Sequence, residues 1–176
     1  AASGTLTLAL SRREREQGGW RIGITHPLDP GRRIGEIAIR DRALGTSGSS
    51  AQFFVHDGRR YGHILDPRTG WPAEKTLATT VAAPIGAEAD ALATAFYVLG
   101  VDGAMEYCRK HEGISVVIMS AGAGGEQIEI AQWGWDAGDI SITSDEAFVV
   151  RNFSIEAAEA GKKGVQIASG ATSRCH

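Results

Sequence analysis

TLATTVAAPIGAEADALATAFYVLG, residues Thr76–Gly100, is where the chain changes its period. Thr76 to Ala83 is a run of small and β-branched residues and reads as a strand, ended by Pro84, which has no backbone N–H for a ladder. From Ala87 to Leu99 the residues are those of a helix, rich in Ala and Leu, and Gly100 is a stop signal.

Working outward, the same two periods recur. Downstream, Gly103 to His111 reads as a second helix and Ile114 to Met119 as a strand of the fully buried type. Gly122 to Gly125 turns the chain, and Gln127 to Trp133 returns as the partner strand. Upstream, Leu6 to Leu10 and Trp20 to Thr25 read as strands on either side of a charged turn, Arg12 to Gly19. His26 to Gly31 is a loop of breakers, Ile34 to Ile39 alternates as a strand, and Leu44 to Ser50 is a Gly/Ser loop. Gln52 to Val55 and Tyr61 to Leu65 flank Asp57-Gly58, a strong hairpin signal. There is no regular βαβ alternation and no dinucleotide-binding glycine fingerprint. The expected class is α+β: a mainly antiparallel sheet covered by two helices.

Composition shifts after Trp135. Asp136 to Thr143 is polar and loop-like, Glu146 to Glu159 can hold a helix, and Gly161 to Gly164 is a basic break. A soft boundary near residue 138 divides a main portion, 1–138, from a C-terminal extension, 139–176. The 176 residues suit one domain with or without an appendage, and 43% apolar residues suffice for a sizeable core. A net charge of −3 gives no reason to expect a nucleic-acid partner. Cys108 and Cys175 lie far apart and make no metal or redox spacing. No apolar run is long enough for a transmembrane helix, and no signal peptide is visible. Ala1 is not a start methionine, so a removed or missing N-terminal portion is expected.

Three stretches carry chemistry. In His63-Ile64-Leu65-Asp66-Pro67-Arg68-Thr69-Gly70, a strand runs into a tight turn specified by Asp-Pro and Gly. His63 and Leu65 then share one face, and Ile64 and Asp66 the other. A histidine at a strand end can act as a general base. It can equally be a histidine bonded to a backbone carbonyl beside a plain turn. In Ala89-Asp90-Ala91-Leu92-Ala93-Thr94-Ala95, Asp90 and Thr94 are one helical turn apart. Together they can give a hard cation two oxygens, with carbonyls, waters and phosphate completing the shell. Alternatively, Thr94 simply bonds back to the carbonyl of Asp90. In Ala43-Leu44-Gly45-Thr46-Ser47-Gly48-Ser49-Ser50, backbone N–H groups and hydroxyls can face a phosphate.

In chain order, Thr46-Ser47-Gly48, the hairpin, His63–Gly70, Ala89–Ala95 and Val98-Leu99-Gly100 resemble, in order and spacing, the FAD:protein FMN transferases, the ApbE family. The resemblance is strong from Trp20 to Gly100 and extends weakly to Trp133. It implies a T-fold-like architecture, FAD and Mg²⁺ as cofactors, and a flavin acceptor protein as partner. The implied reaction moves FMN from FAD to a Ser or Thr hydroxyl and releases AMP. His63 matches the histidine that deprotonates or positions the acceptor. Asp90 and Thr94 match the metal pair. Thr46, Ser47, Gly48, Ile64, Leu65 and Asp66 match segments lining the flavin site. The family's N-terminal half, with its lysine-glycine motif, has no counterpart here. The chain therefore reads as a C-terminal half, with a separate N-terminal half or a homodimer partner expected. The resemblance points to a periplasmic or membrane-associated location.

Near the end, Ser169-Gly170-Ala171-Thr172 resembles the acceptor sequence of these enzymes, whose last Thr receives FMN. Gln166 stands where acceptors usually carry Asp. The stretch is otherwise a flexible tail of small residues. A flavin carrier modified at Thr172, or half of a split enzyme, is the alternative to a transferase.

Overall fold

A computed structural model describes residues 19–50, 52–122, 127–142 and 148–152. The strands are β1 (Trp20–His26), β2 (Asp29–Ile39), β3 (Ala43–Gly48), β4 (Phe53–His56), β5 (Arg59–Gly62), β6 (Thr76–Ala83), β7 (Ser115–Ala121), β8 (Ile128–Trp133), β9 (Ile140–Ile142) and β10 (Phe148–Asn152). The helical element α1 spans Gly86–Lys110, between β6 and β7.

The strands form a five-stranded sheet ordered β10-β8-β7-β6-β3, a three-stranded sheet ordered β1-β2-β9, and the β4-β5 ribbon. Every pairing is antiparallel except β10 with β8. The class is α+β.

The period of two in β7 shows why the five-stranded sheet is the middle layer. Val116 and Ile118 pack with Phe96, Met105 and Cys108 of α1, while Val117 and Met119 pack with Ile24, Ile34 and Ile37 of the smaller sheet. All four β7 residues are at most 2% exposed, so both faces are core. Burying a side chain of this size stabilises the fold by about 1.5–3 kcal/mol. The continuous apolar run Val116–Met119 is what such a doubly covered strand requires. Arg42 ties the layers at one end: its guanidinium donates to Ser115 Oγ (2.9 Å), to the carbonyl of Ala82 (2.7 Å) and to that of Gly113 (2.8 Å). Cys108 is free, and burial pushes its thiol up to about 11. Cys175 lies outside the described residues.

Several elements differ from the sequence expectations. The two expected helices are present and part at Gly100 as expected, with its non-helical φ of 72° and ψ of −169°, but they run on as one kinked element with no loop between them. The breaker-rich loop at His26 shrinks to a two-residue turn, with His26 paired to Asp29. Leu44–Ser50, expected to be a loop, instead supplies most of β3, because β6 offers it a ladder from Ala43↔Ala83 to Gly48↔Ala78. The strand expected over Tyr61–Leu65 ends at Gly62; Leu65 makes only an isolated bridge to Pro72. Asp136–Thr143 contains β9, recruited by the open edge of β2. Within Glu146–Glu159 the described residues form β10, not a helix, beside the edge of β8. The strand expected at Leu6–Leu10 lies outside the described residues, as does the turn read over Arg12–Gly19 except for Gly19. Among the described residues no helix is long and apolar enough to cross a membrane.

Candidate active site

One cleft of about 600 Å³ is lined by Thr46, Ser47, Gly48, Gln52, His63, Ile64, Leu65, Asp90 and Thr94. Residues from β3, from α1 and from the segment after β5 therefore meet at one place.

Strand β3 and helix α1 meet because of Gly45 and Ser47. A side chain at Gly45 would put its Cβ 2.5 Å from the carbonyl oxygen of Ala89 and 2.7 Å from the Asp90 nitrogen. Only glycine lets the strand press against the first turn of the helix. Two residues along a strand rise about 6.6 Å, and one helical turn rises about 5.4 Å. Hence Gly45 meets Ala89–Asp90 while Ser47 meets Thr94, one turn on. The Ser47 and Thr94 hydroxyls are 2.9 Å apart, and Thr94 also donates to the carbonyl of Asp90 at 3.4 Å. On the other face of β3, Thr46 Oγ1 lies 3.0 Å from Thr80 Oγ1. Strand β3 is the edge strand of its sheet, paired with β6 on one side only, and Ser47 adds a hydroxyl on the α1 face.

His63 stands in a bend just past β5, at the mouth of the cleft. Its Nδ1 lies 3.1 Å from the carbonyl oxygen of Gln52. A carbonyl can only accept, so Nδ1 carries the proton and Nε2 of the neutral ring keeps its lone pair. The carbonyl partner thus fixes the tautomer that a base requires. Neighbouring chain is pinned as well. Arg60 donates to the carbonyls of Ser49 (2.5 Å) and Ser50 (2.9 Å) and lies 3.6 Å over the Phe53 ring. Tyr97, 2% exposed, donates to Ser49 Oγ at 3.1 Å. Gln52, Gly45 and Tyr97 were not singled out from the sequence. Glycine inside a strand is the one signal the sequence carries for Gly45, and it is visible only once Ala43–Gly48 is known to be a strand.

Asp66 goes elsewhere. It lines a neighbouring cleft of about 890 Å³ with Arg59, Arg68 and Trp71. Its carboxylate accepts from the Arg68 backbone N–H (2.9 Å), from Arg68 Nε (2.9 Å) and from Arg68 Nη2 (2.7 Å). Those hydrogen bonds from Arg68 hold the carboxyl down at about 2. Its carbonyl accepts from Thr69 (3.1 Å) and Gly70 (2.8 Å), the latter at φ 73°. Asp66 therefore builds the turn that presents His63 and Ile64. Thr172 lies outside the described residues.

The Asp90 carboxylate has no hydrogen-bond or ion-pair partner among the described residues, and it shares the cleft with the Thr94 hydroxyl. Two hard oxygens one turn apart suit a cation such as Mg²⁺, which keeps several waters and takes few protein ligands. Among the described residues no three His, Cys, Asp or Glu side chains converge, so the rest of such a shell has to come from water or a bound phosphate.

Comparisons with known proteins give the chain's family. The model of the ApbE family matches residues 2–118. The FAD:protein FMN transferase of Salmonella typhimurium is 40% identical over 121 residues, which are 66% of this chain and 34% of that protein. The one from Treponema pallidum is 37% identical over 102 residues, 57% of this chain and 28% of that protein. Among solved structures, the flavin transferase ApbE of Vibrio cholerae has 32% identity and a TM-score of 0.51, covering 65% of this chain and 35% of that one. The Thermotoga maritima ApbE protein has 34% identity and a TM-score of 0.50, covering 58% and 33%. The chain spans about a third of the length of the curated relatives it matches. It belongs to the ApbE family.

Proposed function

We propose that the cleft between β3, α1 and the His63 segment is the catalytic portion of an FAD:protein FMN transferase. The substrates are FAD and a Ser or Thr hydroxyl of an acceptor protein. The acceptor oxygen forms a bond to the phosphorus on the FMN side of the pyrophosphate. The bond from that phosphorus to the bridging oxygen breaks, and AMP leaves. His63 Nε2 is positioned by the Gln52 carbonyl to take the acceptor proton. Asp90 and Thr94 hold Mg²⁺, which when bound offsets the charge developing on the phosphates. Thr46, Ser47, Gly48, Ile64 and Leu65 line the cleft on the flavin side.

The observation that carries this reading is the convergence of a tautomer-fixed histidine with an unpartnered carboxylate and a hydroxyl in one cleft. A second reading, a flavin carrier, is favoured by Ser169-Gly170-Ala171-Thr172. In it, Thr172 is the residue modified. Intact mass after incubation with FAD and Mg²⁺, beside a Thr172→Ala control, separates the two. A gain of one FMN that the control lacks, with AMP released, supports transfer by the chain onto itself. FMN gained only when an active family transferase is added supports the carrier. Neither gain nor AMP, even with an acceptor protein of a relative present, sinks the proposal of a transferase active in this chain alone.

A further inference from the structure

The Thr94 hydroxyl has one proton and two neighbours that can take it. One is Ser47 Oγ at 2.9 Å, where either oxygen can donate; the other is the carbonyl of Asp90 at 3.4 Å. Ser47 is 9% exposed and stands directly opposite Thr79 in the β3–β6 ladder. Opposed residues of antiparallel strands share a face, with Cβ atoms about 5 Å apart. Thr79 is fully buried, and its hydroxyl has no hydrogen-bond partner among the described residues. A buried hydroxyl left in that state is unusual and unfavourable. Three hydroxyls thus run inward from the cleft, and the last one lacks a partner.

We infer that Ser47 is a positioning residue for cation binding: it accepts the Thr94 proton and turns its own towards Thr79, so that the Thr94 oxygen keeps its lone pairs on the cleft side beside Asp90. The inference rests on the reading of Asp90 and Thr94 as cation ligands. A cation on a hydroxyl oxygen withdraws electron density and makes the hydroxyl a stronger donor. That donor needs an acceptor away from the charge, and Ser47 supplies it at the shorter distance. For this the Thr79 oxygen has to turn about χ1 towards Ser47, its directly opposed residue. No bond breaks and no proton leaves; three hydroxyls reorient. Ser47 thereby passes from a wall of the flavin site to the support of the metal pair.

The test uses Mn²⁺ as a paramagnetic probe, titrated into the full chain with FAD present, with free Mn²⁺ read by electron paramagnetic resonance and thermal unfolding measured alongside. Asp90→Ala is expected to remove the bound Mn²⁺. Ser47→Ala is expected to weaken Mn²⁺ binding about tenfold, as loss of a group supporting a metal ligand does. Thr79→Val keeps the buried shape and removes only the far acceptor; it is expected to weaken binding about threefold, in the same direction. Wild-type Mn²⁺ affinity in both Ser47→Ala and Thr79→Val overturns the inference and leaves the reading of Asp90 and Thr94 intact. Equal Mn²⁺ binding in wild type and Asp90→Ala overturns both. If Ser47→Ala fails to fold, Thr79→Val decides alone.

Discussion

The Asp66 turn and the Asp90 turn of α1 both offer a carboxylate and, a few residues on, a threonine hydroxyl. In the first, Arg68 claims both carboxylate oxygens and the backbone N–H of the same residue adds a third bond. In the second, the carboxylate has no partner among the described residues and the threonine faces the same cleft. Two motifs of similar composition therefore differ in what they leave unsatisfied. A satisfied polar cluster specifies a shape, whereas an unsatisfied one beside a cavity is available for a ligand.

Removing each carboxylate separately distinguishes the two turns by the largest effect. Asp90→Ala is expected to reduce Mg²⁺-dependent transfer to background, a loss of roughly 10³-fold or more. The melting temperature should barely move, since an exposed side chain without partners contributes within about 0.5 kcal/mol. Asp66→Ala should show the opposite pattern, lowering the melting temperature while Mn²⁺ binding is kept. Matching losses of metal binding in the two variants would erase the distinction. The next largest effect is expected at His63: His63→Ala should slow transfer about 10²-fold and leave FAD affinity, measured by fluorescence quenching, within about twofold of wild type. Gly45→Ala then tests how the Asp90 side is assembled. The added methyl meets the Ala89 carbonyl, so a loss of about 1–3 kcal/mol is expected in denaturant unfolding. An unchanged midpoint would show that the strand and helix can part at no expense.

The smallest effect is one of pH. The Asp66 carboxyl is held at about 2, below its ordinary value of 3.8, by hydrogen bonds from Arg68. A depressed carboxyl contributes stability that is fully present above about 4 and lost as pH falls through about 2. Amide exchange at Arg68 and Gly70 should therefore stay protected through pH 4 and rise only towards pH 2. Asp66→Asn should abolish that acid step. A transition near pH 4 in the wild-type turn would mean that Arg68 does not hold the carboxylate in solution.

Legibility in the sequence followed what kind of force made each element. The bounds of Thr76–Ala83 are legible because its own residues favour a strand and Pro84 ends it. The Asp57-Gly58 hairpin was equally plain, and both residues take the positive φ such turns need, 49° and 74°. By contrast, β3 is Ala-Leu-Gly-Thr-Ser-Gly, a composition with no strand preference; it becomes a strand because β6 offers a partner. Strands β9 and β10 likewise depend on the neighbours they find. At the site, the residues named from motifs came together, apart from Asp66, because ordered spacing along the chain is visible. Gln52, which fixes the histidine tautomer, acts through its backbone carbonyl, and a carbonyl has no signature in a sequence. Thr79 was equally silent, since only burial and the lack of a partner mark it.

The break at Gly100 has an electrical meaning. Peptide dipoles align along the first stretch of α1, leaving a partial positive charge near Gly86 and a partial negative one near Leu99. The carbonyls of the last turn before the break lack helical partners, and that of Val98 accepts from Arg68 Nη2 at 3.4 Å. The anion Glu88 stands in the first turn, by the positive pole, and the cation Arg68 by the negative one. The turn that presents His63 thus meets one end of a dipole whose other end carries a carboxylate two residues before Asp90. Had the helix run unbroken to Lys110, its negative pole would lie farther on, and Arg68 would have no end carbonyl to meet.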